Sequence, residues 1–200
     1  MLLLGACGDS DAGSATFVEP TALAPQSTTS TAPTTVPPTT TTTLPPLQLT
    51  NSAKISTAGL GPVRIGMTVK EAERLTGVAL VADEIGDNSC RYHVPDRGVT
   101  GVGFMVADGE VVRVDVWEGA ISTLSGIGIG STADEITELF GTKLETQTHP
   151  YDPDGQYLVL VPVDKGDADK RVIWEIDAEG LVTAFRAGRV PYVEFIEGCS

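Results

Sequence analysis

The strongest constraint on the fold of this chain is a segment that occurs twice. VRIGMTVKEAERLTG, residues 63–77, resembles IGIGSTADEITELFG, residues 127–141, at a constant spacing of 64 residues. The shared positions are Ile65 and Ile129, Gly66 and Gly130, Thr68 and Thr132, Glu71 and Glu135, Leu75 and Leu139, and Gly77 and Gly141. A repeat of this kind predicts one structural unit that is built twice.

Each copy carries the signals that begin and end a short helix. Thr-x-x-Glu is a capping box, in which the threonine hydroxyl and the glutamate carboxylate each accept a hydrogen bond from a free backbone amide. The closing glycine suits the left-handed conformation that ends many helices. Strand-rich sequence follows, with glycine-containing hairpin turns at residues 107–110 and 177–180. Each copy is therefore expected to be a two-turn helix on an antiparallel sheet.

The repeated unit around IGMT and IGST resembles the bacterial beta-lactamase inhibitory proteins and the related small envelope lipoproteins of outer-membrane assembly. The resemblance covers roughly residues 55–189. It implies an α+β fold in which two tandem helix-plus-antiparallel-sheet repeats, residues 51–120 and 121–200, form one continuous curved sheet that binds another protein. No stretch matches the enzyme-contacting loops of the inhibitors residue by residue, so inhibition of beta-lactamases is not implied.

The chain opens on an apolar run that ends in a cysteine. Leu4-Gly5-Ala6-Cys7 resembles the lipobox of bacterial lipoproteins, which implies a diacylglycerol on the Cys7 thiol and cleavage before it. The alternative is a fortuitous apolar N-terminus. Residues 1–7 are interpreted as the remnant of an export and lipidation signal. The protein is then expected in the bacterial cell envelope, facing outward from the cytoplasmic membrane.

Residues 8–50 have the composition of a disordered linker. Between residues 10 and 50 there is one aromatic residue, Phe17, and no Lys or Arg, and residues 27–46 consist mainly of Thr, Ser and Pro. Such a segment buries too little apolar surface to offset the entropy of ordering it. Its prolines favour an extended stalk of about 3.1 Å per residue. The stalk is either a plain spacer or a substrate for O-glycosylation.

Charge and cysteine content limit the partners. From residue 51 onward there are 24 acidic residues against 13 basic ones, a net charge of −11. This excess argues against nucleic acid and against adsorption to anionic lipid, so membrane attachment depends on the Cys7 lipid alone. With Cys7 assigned to lipid, Cys90 and Cys199 have only each other, and we expect a disulfide between them. Two unpaired structural thiols are the alternative.

The sequence contains no pattern that predicts catalysis or a cofactor. The glycines of SGIGIGS, residues 125–131, lack the lysine of a phosphate-binding loop. His149, Asp152 and Asp154 lie in HPYDPDG, where a turn explains the residues better than a weak calcium site. The histidines, His93 and His149, accompany no nucleophile elbow. We therefore expect neither an enzyme nor a metal-binding protein.

Strand alternation indicates where a partner binds. In EVVRVDVW, residues 110–117, three valines are expected to face the core: Val112, Val114 and Val116. Arg113, Asp115 and Trp117 then lie on the opposite face, where an aromatic residue among charges is typical of a recognition surface. In a second strand, Val172, Trp174 and Ile176 are expected to face inward.

The sequence thus predicts a non-enzymatic domain that binds an envelope or secreted protein through Arg113, Asp115 and Trp117. A solvated sheet face with one covered tryptophan is the alternative reading of these residues. Three other functions compete: an envelope hydrolase, a carbohydrate-binding accessory and a structural component of an envelope assembly complex.

Overall fold

The computed structural model describes residues 47–199. The predicted lipidation site at Cys7, the signal remnant 1–7 and most of the linker 8–50 lie outside the described residues. The described residues form twelve strands: β1 Lys54–Ser56, β2 Gly59–Leu60, β3 Val63–Arg64, β4 Leu80–Gly86, β5 Cys90–Pro95, β6 Val102–Ala107, β7 Glu110–Val116, β8 Ser122–Thr123, β9 Leu144–Thr148, β10 Gln156–Leu160, β11 Lys170–Ile176 and β12 Val182–Arg189. The α-helices are α1 Val69–Thr76 and α2 Ala133–Phe140, and short 3-10 helices span Gly141–Lys143, Lys165–Asp167 and Tyr192–Glu194.

Both predicted capping boxes are confirmed. The Thr68 hydroxyl accepts from the Glu71 amide at 3.2 Å, and the Glu71 carboxylate accepts from the Thr68 amide at 2.9 Å. The same two bonds begin α2 between Thr132 and Glu135, at 3.2 Å and 2.8 Å. The helix ends differ, because Gly77 is left-handed as expected, whereas Gly141 has φ 52° and ψ −124° and opens a 3-10 turn.

Eight strands form an antiparallel sheet in the order β4-β5-β6-β7-β12-β11-β10-β9. Each half of the order consists of four strands that are consecutive in the chain, and β7 pairs with β12 to join the halves. The predicted turn between β6 and β7 is confirmed, with Asp108 and Gly109 both at positive φ as this tight hairpin requires.

The predicted fold class is wrong: the chain is mainly β and does not form two helix-plus-sheet repeats in one sheet. A second sheet of four short strands, in the order β3-β2-β1-β8, stands apart from the large one, and its β1 and β8 run parallel. Its side chains Ile55, Leu60 and Val63 are fully buried. Two eight-residue helices are too short to cover eight strands, so this second sheet supplies the remaining apolar surface.

The main core lies on one face of the large sheet, which we name the inner face. Side chains of the sheet pack there against the small sheet and the helices, and the buried residues with the greatest volume include Phe104, Trp174, Phe185, Ile55 and Ile136. Leu49 belongs to this core as well, although it falls within the predicted linker 8–50. The inward positions predicted for Val172, Trp174 and Ile176 are confirmed.

The opposite, outer face is partly covered by the C-terminal segment, residues 190–199. Val193 is fully buried against Tyr157, Val159 and Ile173. The segment ends at the predicted disulfide, which is confirmed between Cys90 and Cys199 and joins residues 109 apart in sequence.

A β-bulge in β7 changes the predicted orientation of its valines. Met105 pairs with Arg113 and Val106 pairs with Val111, which leaves Val112 as the extra residue. Val112 therefore packs with Met105 and Ala107 on the outer face, whereas Val111 joins the main core. The prediction of an inward Val112 is wrong for this reason, and those for Val114 and Val116 are confirmed.

Candidate functional site

Trp117 follows the last residue of β7 and lies on the outer face with 48% of its surface exposed. Its ring covers the neighbouring strand at Gly103: a Cβ atom there would lie 3.0 Å from the Trp117 ring and 3.1 Å from the Tyr92 ring. A side chain at this position would displace the indole. The missing side chain at Gly103 thus allows Trp117 to lie against the sheet.

Trp117 forms one wall of a shallow hollow of about 220 Å³. Asp83 of β4, Tyr92 and Val94 of β5, and Asp115 of β7 complete the lining. Val81 pairs directly with Val94 and is 52% exposed. We name these residues the candidate binding face: Val81, Asp83, Tyr92, Val94, Asp115 and Trp117.

Arg113 lies behind this face, where it holds the C-terminal segment. Its side chain is 5% exposed, and its Nε donates to both Asp115 carboxylate oxygens at 2.9 Å. Nη1 donates to the backbone carbonyls of Tyr192 and Phe195. The donors of Arg113 are therefore directed to groups within the domain.

Tyr92 connects the face to the buried ion pair. Its hydroxyl donates to Asp115 at 3.1 Å. Burial raises the pKa of Tyr92 well above 10, and the Asp115 carboxylate raises it further. The phenol consequently stays protonated at neutral pH and continues to donate, so Arg113, Asp115 and Tyr92 form a hydrogen-bonded group beside Trp117.

A second polar group lies under the C-terminal segment on β10–β12. The guanidinium of Arg186 lies 4.9 Å from the centre of the Tyr157 ring, and its Nε donates to the Val193 carbonyl at 2.8 Å. Burial lowers the pKa of Arg186, and the nearby Arg113 adds to that effect. Together the two arginines bind three carbonyls of the C-terminal segment.

His149, considered above as a metal ligand, organises the β9–β10 loop. Its Nδ1 accepts from the backbone amides of Tyr151 and Asp152 at 3.2 Å and 2.9 Å, and its Nε2 lies 3.3 Å from a Glu175 carboxylate oxygen. Asp152 in turn accepts from the amide of Asp154 at 3.0 Å. Residues 47–199 contain no cluster of three His, Cys, Asp or Glu side chains that could hold a metal ion.

The three residues predicted to bind a partner are close together but unequally accessible. Arg113 is buried, Asp115 is mostly covered and Trp117 is exposed. Sequence reasoning missed Val81, Asp83, Tyr92 and Val94. Alternation in CRYHVP already puts Tyr92 and Val94 on one face of β5, and sequential pairing of β5, β6 and β7 would have brought that face beside Trp117.

No protein-family model and no curated protein matches this chain. The solved structures that are similar to it include three bacterial proteins. An extracellular protein containing an SCP domain from Bacillus anthracis shows 12% identity and a TM-score of 0.41, over 63% of this chain and 44% of that one. The uncharacterized protein yfeY from Escherichia coli shows 14% identity and a TM-score of 0.44, over 68% of this chain and 99% of that one. A cysteine-rich secretory protein from Staphylococcus aureus shows 16% identity and a TM-score of 0.40, over 68% of this chain and 48% of that one.

The chain thus spans less than half of the Bacillus anthracis and Staphylococcus aureus chains. Similarities of this strength assign no function, and the resemblance to beta-lactamase inhibitory proteins stays a prediction. The Cys90–Cys199 disulfide fits a secreted or envelope protein, because such bonds persist outside the reducing cytoplasm. In the described part of the chain, neither helix has the length and apolar character needed to cross a membrane.

Proposed function

We propose that this chain is a bacterial cell-envelope lipoprotein whose folded domain binds a basic segment of an envelope or secreted protein and catalyses no reaction. The observation that carries the proposal is Trp117, a half-exposed tryptophan that lies against Gly103 beside an otherwise acidic and apolar hollow. Tryptophan is among the residues that contribute most to protein-binding interfaces. The proposed anchor is the Cys7 lipid, with residues 8–46 as a spacer.

The rigidity of the candidate binding face favours recognition. Tyr92 lines the same hollow as Trp117, and its hydroxyl donates to Asp115, which is paired with the buried Arg113. The disulfide and the C-terminal segment fix the other side of this group. A surface that is already ordered loses little conformational entropy when a partner binds, so more of the contact energy appears as affinity.

The charge of the surface favours a basic partner. None of the six residues of the candidate binding face is basic, and the sequence from residue 51 onward has a net charge of −11. Two carboxylates line the hollow. Asp115 is paired with Arg113, whereas Asp83 forms no ion pair within residues 47–199. A lysine or arginine of the partner gains attraction from this carboxylate and from the face of the exposed indole.

Site-specific photo-crosslinking tests this proposal. A photoreactive phenylalanine analogue replaces Val81, whose side chain is exposed on the candidate binding face, and the crosslinked proteins are identified in intact cells by mass spectrometry. Val163 is the matched control, because it is an equally apolar residue that is 80% exposed and lies outside the face.

The expected result is a specific partner captured from position 81 and not from position 163, with the crosslinked peptide rich in Lys or Arg. Equal capture from both positions would contradict the assignment of the face. No capture from position 81, or a crosslinked peptide without excess basic residues, would contradict the proposed partner chemistry.

A further inference from the structure

Strand β9, Leu144–Thr148, forms one edge of the large sheet, and its outer side is open. It is the last strand in the sheet order, so within residues 47–199 it pairs with β10 alone. The pairing runs over five residues without a register shift, and residues 145–148 are exposed. A straight, exposed edge strand presents a row of backbone amides and carbonyls to which a further strand can bond.

Hydrogen bonds at both ends of β9 determine which of its backbone groups face outward. The His149 amide donates to the Gly155 carbonyl at 3.3 Å, and the Val161 amide donates to the Lys143 carbonyl at 3.0 Å. Along an antiparallel pair, residues that bond the neighbouring strand alternate with residues that do not. The odd-numbered residues of this stretch therefore bond β10, and the even-numbered residues direct their amides and carbonyls to the open side.

Three residues of β9 thus direct backbone groups to the open side: Leu144, Thr146 and Thr148. The Leu144 amide is already bonded to the Gly141 carbonyl at the end of the 3-10 turn. The amides of Thr146 and Thr148 and all three carbonyls remain directed outward. Their spacing, at every second residue, is the one that an added antiparallel strand requires.

The opposite edge of the sheet, β4, is blocked in two ways. Its register with β5 shifts between Ala82 and Gly86, and the Glu73 carboxylate accepts from the Leu80 amide at 2.9 Å. Bulges, charged residues and covering groups are the devices by which folded proteins prevent pairing at sheet edges. Leu144–Thr148 pairs without such a shift and contains neither Pro nor Lys. Of the two edges, β9 is therefore the one suited to a further strand.

The sequence of β9 fits a second copy of itself in antiparallel pairing. When Thr146 lies opposite Thr146 of the second copy, the whole strand overlaps, and each Thr148 amide meets the Leu144 carbonyl of the other copy. Glu145 then lies opposite Gln147, so no like charges meet and the amide can donate to the carboxylate. A register shifted toward Leu144 would shorten the overlap and pair Glu145 with Glu145 of the second copy.

We infer that this protein forms a two-fold dimer in which the β9 strands of two copies pair antiparallel about Thr146 and join the large sheets edge to edge. The contact is small, because each copy contributes one short strand, so the expected Kd lies between about 10 µM and 1 mM. The contact is independent of the proposed protein-binding function, since the candidate binding face lies on β4, β5 and β7, toward the other edge of the sheet.

Sedimentation equilibrium of the full chain tests the inference at about 10 µM to 1 mM protein in about 0.15 M NaCl, which screens the net negative charge of each copy. A monomer–dimer equilibrium is expected. Gln147→Lys places a positive charge opposite Glu145 of the second copy, and it is expected to tighten the dimer at least about threefold. Gln147→Glu places a carboxylate there, and it is expected to weaken the dimer at least about threefold.

Asn88→Lys and Asn88→Glu are the matched controls. Asn88 is also an exposed amide, and it lies in the turn between β4 and β5 at the opposite edge of the sheet. The controls change the net charge by the same amounts, so they are expected to leave Kd within about twofold of the wild type. Adding Glu145→Lys to Gln147→Glu restores opposite charges across the axis and is expected to recover at least the wild-type affinity.

A chain that stays monomeric at about 1 mM would overturn the inference. A dimer whose Kd responds alike to substitutions of Gln147 and Asn88 would also overturn it, because another surface would then join the copies. So would a Gln147→Glu variant that Glu145→Lys does not rescue. Misfolding cannot imitate the expected pattern, since Gln147→Lys is a gain of affinity.

Discussion

Replacing Arg113 with alanine tests the role of this residue as the attachment point of the C-terminal segment. The change removes the ion pair with Asp115 and the hydrogen bonds to the carbonyls of Tyr192 and Phe195. Among residues 47–199, the Tyr92 hydroxyl is then the one side-chain donor left to the Asp115 carboxylate, which is 17% exposed. The variant therefore leaves a largely buried charge without its counter-ion.

Removing one partner of a buried ion pair destabilises a protein by about 3–5 kcal/mol. Both side chains of this pair are well below one-third exposed, so that range applies to Arg113→Ala. For a domain of this size it corresponds to a fall in Tm of roughly 6–20 °C. Arg189→Ala is the matched control, because its ion pair with Glu110 is 29% and 43% exposed and contributes about 1 kcal/mol or less.

Urea unfolding under non-reducing conditions measures both free energies of unfolding, and a double-mutant cycle with Asp115→Ala isolates the pair. Because either single change leaves one buried charge unpaired, the double variant is expected to lose much less than the sum of the two singles, with a coupling of about 2 kcal/mol. Faster amide exchange at Glu194 and Phe195, which bond within the C-terminal segment, is expected in Arg113→Ala.

Additive effects, with a coupling below about 0.5 kcal/mol, would refute the ion-pair reasoning. Unchanged exchange at Glu194 and Phe195 in a destabilised Arg113→Ala variant would refute the attachment of the C-terminal segment to this residue. Arg189→Ala is expected to change neither exchange rate as strongly as Arg113→Ala does.

Three further predictions concern stability. Cys90→Ser combined with Cys199→Ser is expected to lower the free energy of unfolding by up to about 4–5 kcal/mol, which is the value that the chain-entropy model gives for a loop of this length. A loss below about 1 kcal/mol in urea unfolding would contradict this prediction. Thr68→Ala and Thr132→Ala are each expected to lose about 1 kcal/mol in the same assay, because both threonines cap a helix with the same bonds, and two unchanged midpoints contradict this. Because the pKa of Tyr92 is raised in the folded state, the unfolded chain releases the phenol proton first, so the free energy of unfolding falls as pH rises above about 10. Tyr92→Phe is expected to reduce this fall between about pH 9 and 11. The same fall in the wild type and the variant would contradict this prediction.

Local signals in the sequence predicted local structure well. Thr68 with Glu71, and Thr132 with Glu135, define helix starts because the bonding groups are three residues apart, and Asp108-Gly109 defines a hairpin for the same reason. The small sheet escaped prediction because its strands are two or three residues long, too short for a visible alternation. Its pairing of β1 with β8 also joins residues far apart in the sequence.

The candidate binding face was predicted only in part, because it also depends on contacts between residues that are far apart in the sequence. Alternation correctly put Arg113 and Asp115 on the outer face with Trp117, but it contains no information about the C-terminal segment that covers Arg113. That cover depends on a disulfide to Cys90 and on carbonyls some 80 residues away along the chain. The bulge at Val112 likewise shifts the pattern by one residue, and period-two reasoning cannot detect it.

The most direct test of the proposed function is the affinity of the crosslinked partner for the full chain and for Trp117→Ala, measured by titration calorimetry. Loss of a central interface tryptophan is expected to cost about 2 kcal/mol, or roughly a 30-fold weaker Kd, while Val163→Ala leaves Kd unchanged. Raising the salt concentration is expected to weaken the wild-type complex, since a basic partner segment is proposed. An unchanged Kd for Trp117→Ala would contradict recognition through the candidate binding face.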